Sequence, residues 1–261
     1  MTSRRKSAFT VIELLTVIAI MGTVVALALP TIGRSKESAA AAKCRANQRQ
    51  LQTANSLFAS DAGSYVAAAA DFFGANSMRW YGQRGDGDEA FDSGKGPLAP
   101  YLGAGGAIRS CPSFVGAARD GFEAGCGAYG YNAKGVGSRS YLVGFRDEGV
   151  EAGMTPGAIQ QPGSTVMFAD TAYPQSSKGS SYLIEYSFAE AYRNLSNREP
   201  VREQGGPANP SIHFRHDDKT VVAWVDGHTS LESMDFSTTA GFKRHQIGWF
   251  GGPNNDLFDP F

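Results

Sequence analysis

Histidine and carboxylate side chains are the first candidates for chemistry in this 261-residue sequence, which holds only four histidines. His213 and His216 lie three residues apart, and together with Asp170 or Asp217 they are types that bind zinc. The spacing does not place these ligands around one ion. We therefore predict no resident metal and no catalytic residue.

His216 also begins a second pattern, because Asp226-Gly227 follows it after nine residues. If the intervening residues are extended, the His216 and Asp226 side chains lie about 20 to 30 Å apart at roughly 3.3 Å per residue. That distance is too long for a shared metal or proton. We expect His216 to pack locally and Asp226 to stabilise a tight turn at Gly227.

Two acidic clusters suggest calcium, although neither has the complete twelve-residue pattern of a calcium loop. A solvated acidic turn is the alternative, so the prediction is no cofactor, with calcium as the one candidate. The clusters are Asp86, Asp88, Glu89 and Asp92, and Asn254, Asn255, Asp256 and Asp259.

Composition restricts the classes of function. The formal charge is -1 and the sequence pI is about 6.4, so no general basic field favours nucleic acid. The sequence also contains no Gly-x-Ser-x-Gly elbow, phosphate loop or dinucleotide fingerprint, and we predict that the protein is not an enzyme.

The sequence begins with a basic stretch, MTSRRKSA. An apolar run, Phe9 to Leu29, follows it directly. A helix of this length covers about 30 Å, the thickness of a bilayer core. A secretory signal ending near Ala26-Leu27-Ala28, a twin-arginine signal and a permanent membrane helix are the alternatives. Glu13 favours the last, because a carboxylate in an apolar run needs a partner.

The string Ala8-Phe9-Thr10-Val11-Ile12-Glu13 closely resembles the class III signal of type IV prepilins and type II secretion pseudopilins. The resemblance implies cleavage between Ala8 and Phe9 by a prepilin peptidase, and N-methylation of Phe9. It implies that Glu13 neutralises a neighbouring N-terminus during assembly, and that Pro30 is a helix-bending proline. Proline lacks an amide hydrogen, which supports a bend there; a helix end at Leu29 is the alternative.

The remaining sequence predicts an α+β fold. Residues 31–61 form an amphipathic helix in which Cys44, Leu51 and Phe58 repeat every seven residues. Residues 62–261 form an exported, β-rich domain with long Gly-rich loops. The predicted strands are Ser140–Phe145, Ser164–Ala169, Ser181–Phe188 and Thr220–Val225, with a hairpin from Val225 to His228–Met234. The predicted fold is pilin-like: a long N-terminal helix, half membrane-spanning (9–30) and half amphipathic, packed on an antiparallel sheet.

A second resemblance lies in residues 216–227. His216, Asp226 and Gly227 are similar to the H-X9-DG segment of a large group of pilin-like proteins with the same N-terminal signal. The intermediate landmarks of that group resemble Cys111-Pro112-Ser113, Gly130-Tyr131-Asn132 and Val166–Asp170.

These observations predict a structural subunit of a type IV pilus-like or pseudopilus filament. Its expected partners are other pilin or pseudopilin subunits, the prepilin peptidase, the inner-membrane assembly platform and the lipid bilayer. We expect a single pass through the inner membrane, a cytoplasmic N-terminus, and a domain in the periplasm or on an extracellular filament. The alternative is a tethered or secreted enzyme or carbohydrate-binding domain that uses Trp80, Tyr81, Trp224 and Trp249.

An exported location permits disulfides. A bridge between Cys111 and Cys126 would close a loop of about 15 residues and contribute roughly 3 kcal/mol. We prefer this pair because Cys44 lies on the helix stripe, and three reduced, buried cysteines are the alternative.

Overall fold

The computed structural model describes residues 10–87, 89–103, 108–116, 122–177, 180–195 and 204–261, with no account of the side chains of residues 28–34, 177, 195 and 204–205. The chain divides into two compact units, Met1–Ala39 and Ala40–Phe261. Helix α1 spans Val11–Ala62, and the short helices are α2 (Ser140–Val143), α3 (Asp147–Val150) and α4 (Ala240–Arg244).

The described strands form several small antiparallel sheets. The largest has the order β11-β10-β4-β3, in which the strands are β3 (Tyr129–Tyr131), β4 (Val166–Asp170), β10 (Lys219–Trp224) and β11 (Thr229–Ser233). The two-stranded sheets pair β1 (Met78–Arg79) with β2 (Gly82–Gln83), β5 (Tyr173–Ser177) with β6 (Ser180–Ile184), β7 (Arg193–Leu195) with β8 (Gln204–Pro207), and β9 (Ile212–His213) with β12 (Ile247–Gly248).

The predicted fold class was wrong. Among the residues that the structure describes, no helix is both long and apolar enough to cross a membrane. The large apolar side chains of Val11–Leu27 are exposed instead of packed, and several small sheets replace the single sheet of a pilin-like domain.

Strands β3, β4 and β10 of the central sheet are buried, whereas the edge strand β11 is partly exposed. Val221 and Ala223 of β10 point into one apolar cluster, and Val222 and Trp224 point into the other. Alternation of this kind follows from the period of two in a strand. Because both faces of β4 and β10 are covered, the sequences of these two strands are mostly apolar.

Residues of α1 within the second unit supply part of the first cluster. Cys44 and Leu51 are buried in it, and Phe58 packs against it, so the predicted seven-residue stripe is confirmed. Asn55, one helical turn beyond Leu51, donates to the Tyr131 hydroxyl at 3.0 Å and so connects the helix to β3.

Two of the strand predictions are confirmed: β4 and the β10–β11 hairpin form where the sequence placed them. The predicted strand Ser140–Phe145 is wrong, because α2 begins there. The Ser138 hydroxyl accepts a hydrogen bond from the Ser140 amide, and Gly144 ends the helix at φ 89°. These local turn-forming contacts outweigh the β propensity of Tyr141-Leu-Val143.

Two leucines of α1 test this packing. Leu51→Ala should lower the free energy of unfolding by about 2 to 5 kcal/mol, because Leu51 is 2% exposed and its loss leaves a cavity. Leu57→Ala is the matched control: Leu57 is 50% exposed, so the change should stay within about 0.5 kcal/mol. Denaturant unfolding of the purified chain measures both, and equal effects would contradict the described packing.

Candidate functional site

The start of α1 is held by a reciprocal capping box between Thr10 and Glu13. The amide and hydroxyl of Thr10 each donate to Glu13 Oε2 at 2.8 Å, and the Glu13 amide donates to the Thr10 hydroxyl at 3.3 Å. The hydrogen bond from the Thr10 amide lowers the pKa of Glu13. The carboxylate is therefore ionised and oriented at the first turn of the helix.

The predicted processing residues Ala8 and Phe9 lie outside the described residues. Pro30 falls within α1, which does not end at Leu29, and its side chain is among those not described. The assembly roles predicted for Glu13 and Pro30 stay predictions.

The described part of the first unit carries an unusual surface, the apolar segment Val11–Leu27. Every described side chain of this segment is exposed. A helix that is apolar on all sides is normally covered by protein or lipid. The exposed large side chains are Val11, Ile12, Leu14, Leu15, Val17, Ile18, Ile20, Met21, Val24, Val25 and Leu27.

In the second unit, the H-X9-DG segment is strand β10 between two tight turns. Asp217 and Asp218 have φ angles of 54° and 60°, and the amide of His216 donates to the Lys219 carbonyl at 2.9 Å. This two-residue turn begins immediately after His216, so the segment is not extended throughout.

At the far end of β10, Asp226 stabilises the second turn as predicted. Its Oδ1 accepts a hydrogen bond from the His228 amide at 3.0 Å and lies 2.6 Å from His228 Nδ1. Gly227 occupies the left-handed region at φ 98°, where a side chain would be strained. This end of the segment is a surface turn.

His216 has a different environment: it belongs to a buried cluster with Cys44, Cys111 and Asp170. One candidate ligand atom from each of the four side chains lies within 4.8 Å of all the others. The Cys44 and Cys111 sulfurs are 2.8 Å apart, and His216 Nε2 lies 3.5 Å from Cys111 Sγ and 3.2 Å from Asp170 Oδ2. We call these four residues the CCDH cluster.

Four separate parts of the second unit position the CCDH cluster. Cys44 lies on α1. Cys111 lies on a loop, and its own backbone amide donates to the Gly127 carbonyl at 3.0 Å. Asp170 is the last residue of β4, and His216 precedes the turn into β10. Because β4 pairs with β10, the sheet itself brings the carboxylate next to the imidazole.

Arg215 lies beside the cluster and is almost fully buried. Its Nη2 donates to Asp170 Oδ1 at 2.9 Å, and its Nε donates to Cys111 Sγ at 3.2 Å. The remaining contacts of the guanidinium include the carbonyls of Thr171 and Ala128. Arg215 thus offers a fixed positive charge to both a carboxylate and a sulfur.

Asp170 accepts several hydrogen bonds without any exposure to solvent. Gln48 Nε2 donates to Oδ1 at 3.0 Å, and the Val221 amide donates to Oδ2 at 2.9 Å. Burial opposes ionisation, but the charge of Arg215 and the contact with His216 hold the pKa of Asp170 below its ordinary value.

Burial and the neighbouring polar groups also shift the pKa values of the cysteine thiols and the histidine imidazoles. Burial raises the pKa of Cys44, whereas the hydrogen bond from Cys44 lowers the pKa of Cys111. Burial would lower the pKa of His216, but its hydrogen bond to Asp170 raises that pKa to about 10. Burial, followed by the charge of Arg215, lowers the pKa of His213 to about 3, so His213 is neutral.

The predicted Cys111–Cys126 disulfide is absent, because all three cysteines are free. The Cys111 sulfur contacts Cys44, and Cys126 Sγ lies 3.9 Å from a carboxylate oxygen of Glu185. The sequence assigned Cys44 to the apolar stripe of α1 and so left Cys126 as the partner, whereas packing places the Cys44 sulfur against Cys111. The pairing of Cys44 with Cys111 had no local signal in the sequence.

The structure brings together only some of the residues that the sequence analysis considered as zinc ligands. His216 and Asp170 meet, but Asp217 is exposed in its turn and His213 Nδ1 faces Arg215 Nη1 at 3.1 Å. The sequence did not point to the two cysteines as companions of His216.

The described side chains of the two acidic clusters include several that accept hydrogen bonds from backbone amides. Asp88 lies outside the described residues, and Asn255 is buried and accepts from the Arg193 amide at 2.8 Å. Calcium binding at these loops stays a prediction. The described carboxylates of the first loop each accept a hydrogen bond from a nearby backbone amide: Asp86 from Gly87, Glu89 from Gly85 and Asp92 from Gly94.

Comparison of the chain with protein-family models, with curated proteins and with solved structures found no match.

The buried ion pair can be tested directly. Arg215→Ala should lower the free energy of unfolding by about 3 to 5 kcal/mol, because it leaves the Asp170 carboxylate buried without its cation. Arg244→Ala is the control, since Arg244 is exposed at the end of α4, and its effect should stay within about 0.5 kcal/mol. Similar denaturation midpoints for the two variants would show that Arg215 does not compensate Asp170.

Proposed function

We propose that this protein is a structural subunit of a filament similar to a type IV pilus or a type II secretion pseudopilus. The subunits assemble by packing the apolar segment Val11–Leu27 against the same segment of other copies. A prepilin peptidase first removes residues 1–8 and methylates Phe9. The proposal combines the N-terminal sequence resemblance with the exposed surface of α1.

The observation that carries the proposal is the exposure of apolar side chains on all sides of this segment. Ile12 is 70% exposed, Ile20 62% and Leu27 76%, although each is a residue type that is usually buried. Burying such side chains contributes roughly 1.5 to 3 kcal/mol each. Association of several helices therefore supplies a large driving force for assembly.

Small residues favour other copies of the same helix as the covering partner. Ala19, Gly22 and Ala26 recur at spacings of three and four, which places them along one side of the helix. A Cβ atom built at Gly22 meets nothing within 4 Å. Another helix backbone can therefore approach closely at this position.

Glu13 supplies a polar contact within this apolar surface. In the processed chain, the Phe9 amine lies one residue before Thr10 and four residues before Glu13. The capping box already orients the carboxylate toward this end of the helix. An amine of the same or a neighbouring subunit then neutralises Glu13 and sets the register of the packed helices.

The carbohydrate-binding alternative receives less support. Trp80, Tyr81, Trp224 and Trp249 are all buried, so these rings are part of the core and not a stacking platform for sugars.

Processing predicts a defined mass for the mature chain. Protein purified from its native cells should begin at Phe9 and carry one added methyl group. Intact mass spectrometry with N-terminal sequencing measures both properties. A chain that begins at Met1, or one cut after Ala28, would contradict the proposal.

Substitutions at Gly22 test helix-to-helix packing. Gly22→Leu should reduce incorporation into filaments by at least about tenfold, because the larger side chain separates the helices. Gly22→Ala is the matched control: it adds one methyl group, gains up to about 1 kcal/mol of helix propensity and should still assemble. Electron microscopy and pelleting of sheared fibres measure incorporation, and unchanged assembly of Gly22→Leu would contradict close packing at this site.

A further inference from the structure

We propose that the CCDH cluster, formed by Cys44, Cys111, Asp170 and His216, is a structural zinc site. This site lies in the second unit, and it is independent of the filament proposed above, which rests on the apolar segment of the first unit.

The donor set suits zinc. Two cysteine sulfurs, one imidazole nitrogen and one carboxylate oxygen are all ligand types that bind Zn²⁺. Thiolates disfavour calcium and magnesium, which prefer oxygen ligands, and four donors complete a tetrahedral shell. With four protein ligands, no position stays open for a substrate or a reactive water. The site is therefore structural and not catalytic.

The distances are close to those of a tetrahedral shell. Zinc bonds of about 2.0 to 2.3 Å separate neighbouring ligand atoms by about 3.3 to 3.8 Å. In the cluster, Cys111 Sγ lies 3.5 Å from His216 Nε2, and His216 Nε2 lies 3.2 Å from Asp170 Oδ2.

The two sulfurs, 2.8 Å apart, must separate to reach about 3.8 Å in a zinc dithiolate. We place this change at Cys111, which lies on a loop and not in a helix or strand.

Charge also balances at the site. Two thiolates and the Asp170 carboxylate carry three negative charges, and Zn²⁺ with Arg215 carries three positive charges. Arg215 donates to both Cys111 Sγ and Asp170 Oδ1, as outer hydrogen-bond donors do around metal ligands. The Asp170 Oδ2 atom, which accepts from the Val221 amide and faces His216, is the oxygen that we assign to the ion.

The binding step balances through proton release. Each cysteine that is protonated loses its S–H proton to water, and His216 loses the proton shared with Asp170. No electrons are transferred. The ion then connects α1, the Cys111 loop, β4 and the turn before β10, which are distant in sequence. A cross-link of this kind stabilises the fold outright.

Metal analysis of the purified full chain tests the proposal. The chain is stripped of metal, kept reduced with a phosphine, and titrated with Zn²⁺ against a chelating indicator. We expect one zinc ion per chain and a higher melting temperature after binding. Co²⁺ in place of zinc should give the sulfur-to-metal charge-transfer band of a tetrahedral thiolate complex, a readout that needs no variant.

Matched variants identify the ligands. Cys44→Ser and His216→Gln should each weaken zinc binding by at least about 100-fold, since even the loss of an outer hydrogen-bond partner costs about 10- to 100-fold. Cys126→Ser and His228→Gln remove the same residue types outside the cluster and should bind zinc as the unchanged chain does.

Three results would overturn the proposal. The first is less than stoichiometric zinc on the reduced, folded chain. The second is a cobalt spectrum without the thiolate band. The third is a Cys44–Cys111 disulfide in protein isolated from native cells, because oxidation of both sulfurs removes two of the ligands.

Discussion

The interior of the second unit depends on one buried charge, the carboxylate of Asp170. An ionised carboxylate without solvent is strongly unfavourable unless it is paired and fully hydrogen-bonded. Here the compensation comes from Arg215, from His216, from Gln48 on α1 and from the amide of Val221 on β10. The carboxylate thereby fixes the helix, the central sheet and the turn before β10 in one arrangement.

This constraint explains why the two ends of the H-X9-DG segment differ. The His216 end turns inward immediately, through two aspartates in left-handed conformations, and meets Asp170 and the cysteines. The Asp226 end is an exposed turn in which the Asp226 carboxylate accepts a hydrogen bond from the His228 amide. One sequence pattern thus contains an interior ligand-like residue and a surface turn, connected by a strand that is buried on both faces.

The first unit obeys a different constraint, which is the cost of exposed apolar surface. The Thr10–Glu13 capping box satisfies hydrogen-bonding groups at the start of α1. The large apolar side chains of Val11–Leu27, in contrast, are exposed. The proposed metal cross-link in one unit and the proposed assembly surface in the other are compatible, because they involve different residues and different physical forces.

Local patterns in the sequence determined several features correctly. The seven-residue stripe of α1, strand β4, the β10–β11 hairpin and the Asp226–Gly227 turn each depend on residues close together along the chain. Those features follow from side-chain periodicity and turn chemistry. The apolar N-terminal segment was also evident from the sequence, but no helix among the described residues is both long and apolar enough to cross a membrane.

Only the tertiary structure decided which distant side chains meet. Cys44 and Cys111 are 67 residues apart in sequence, and Asp170 reaches them only because β4 and β10 pair beside α1. The helix stripe identified Cys44 as a buried residue but not as the neighbour of Cys111, and no local pattern pointed to Arg215. Periodicity reports which face of an element is buried, but the partner across the core is set by packing, which no local pattern encodes.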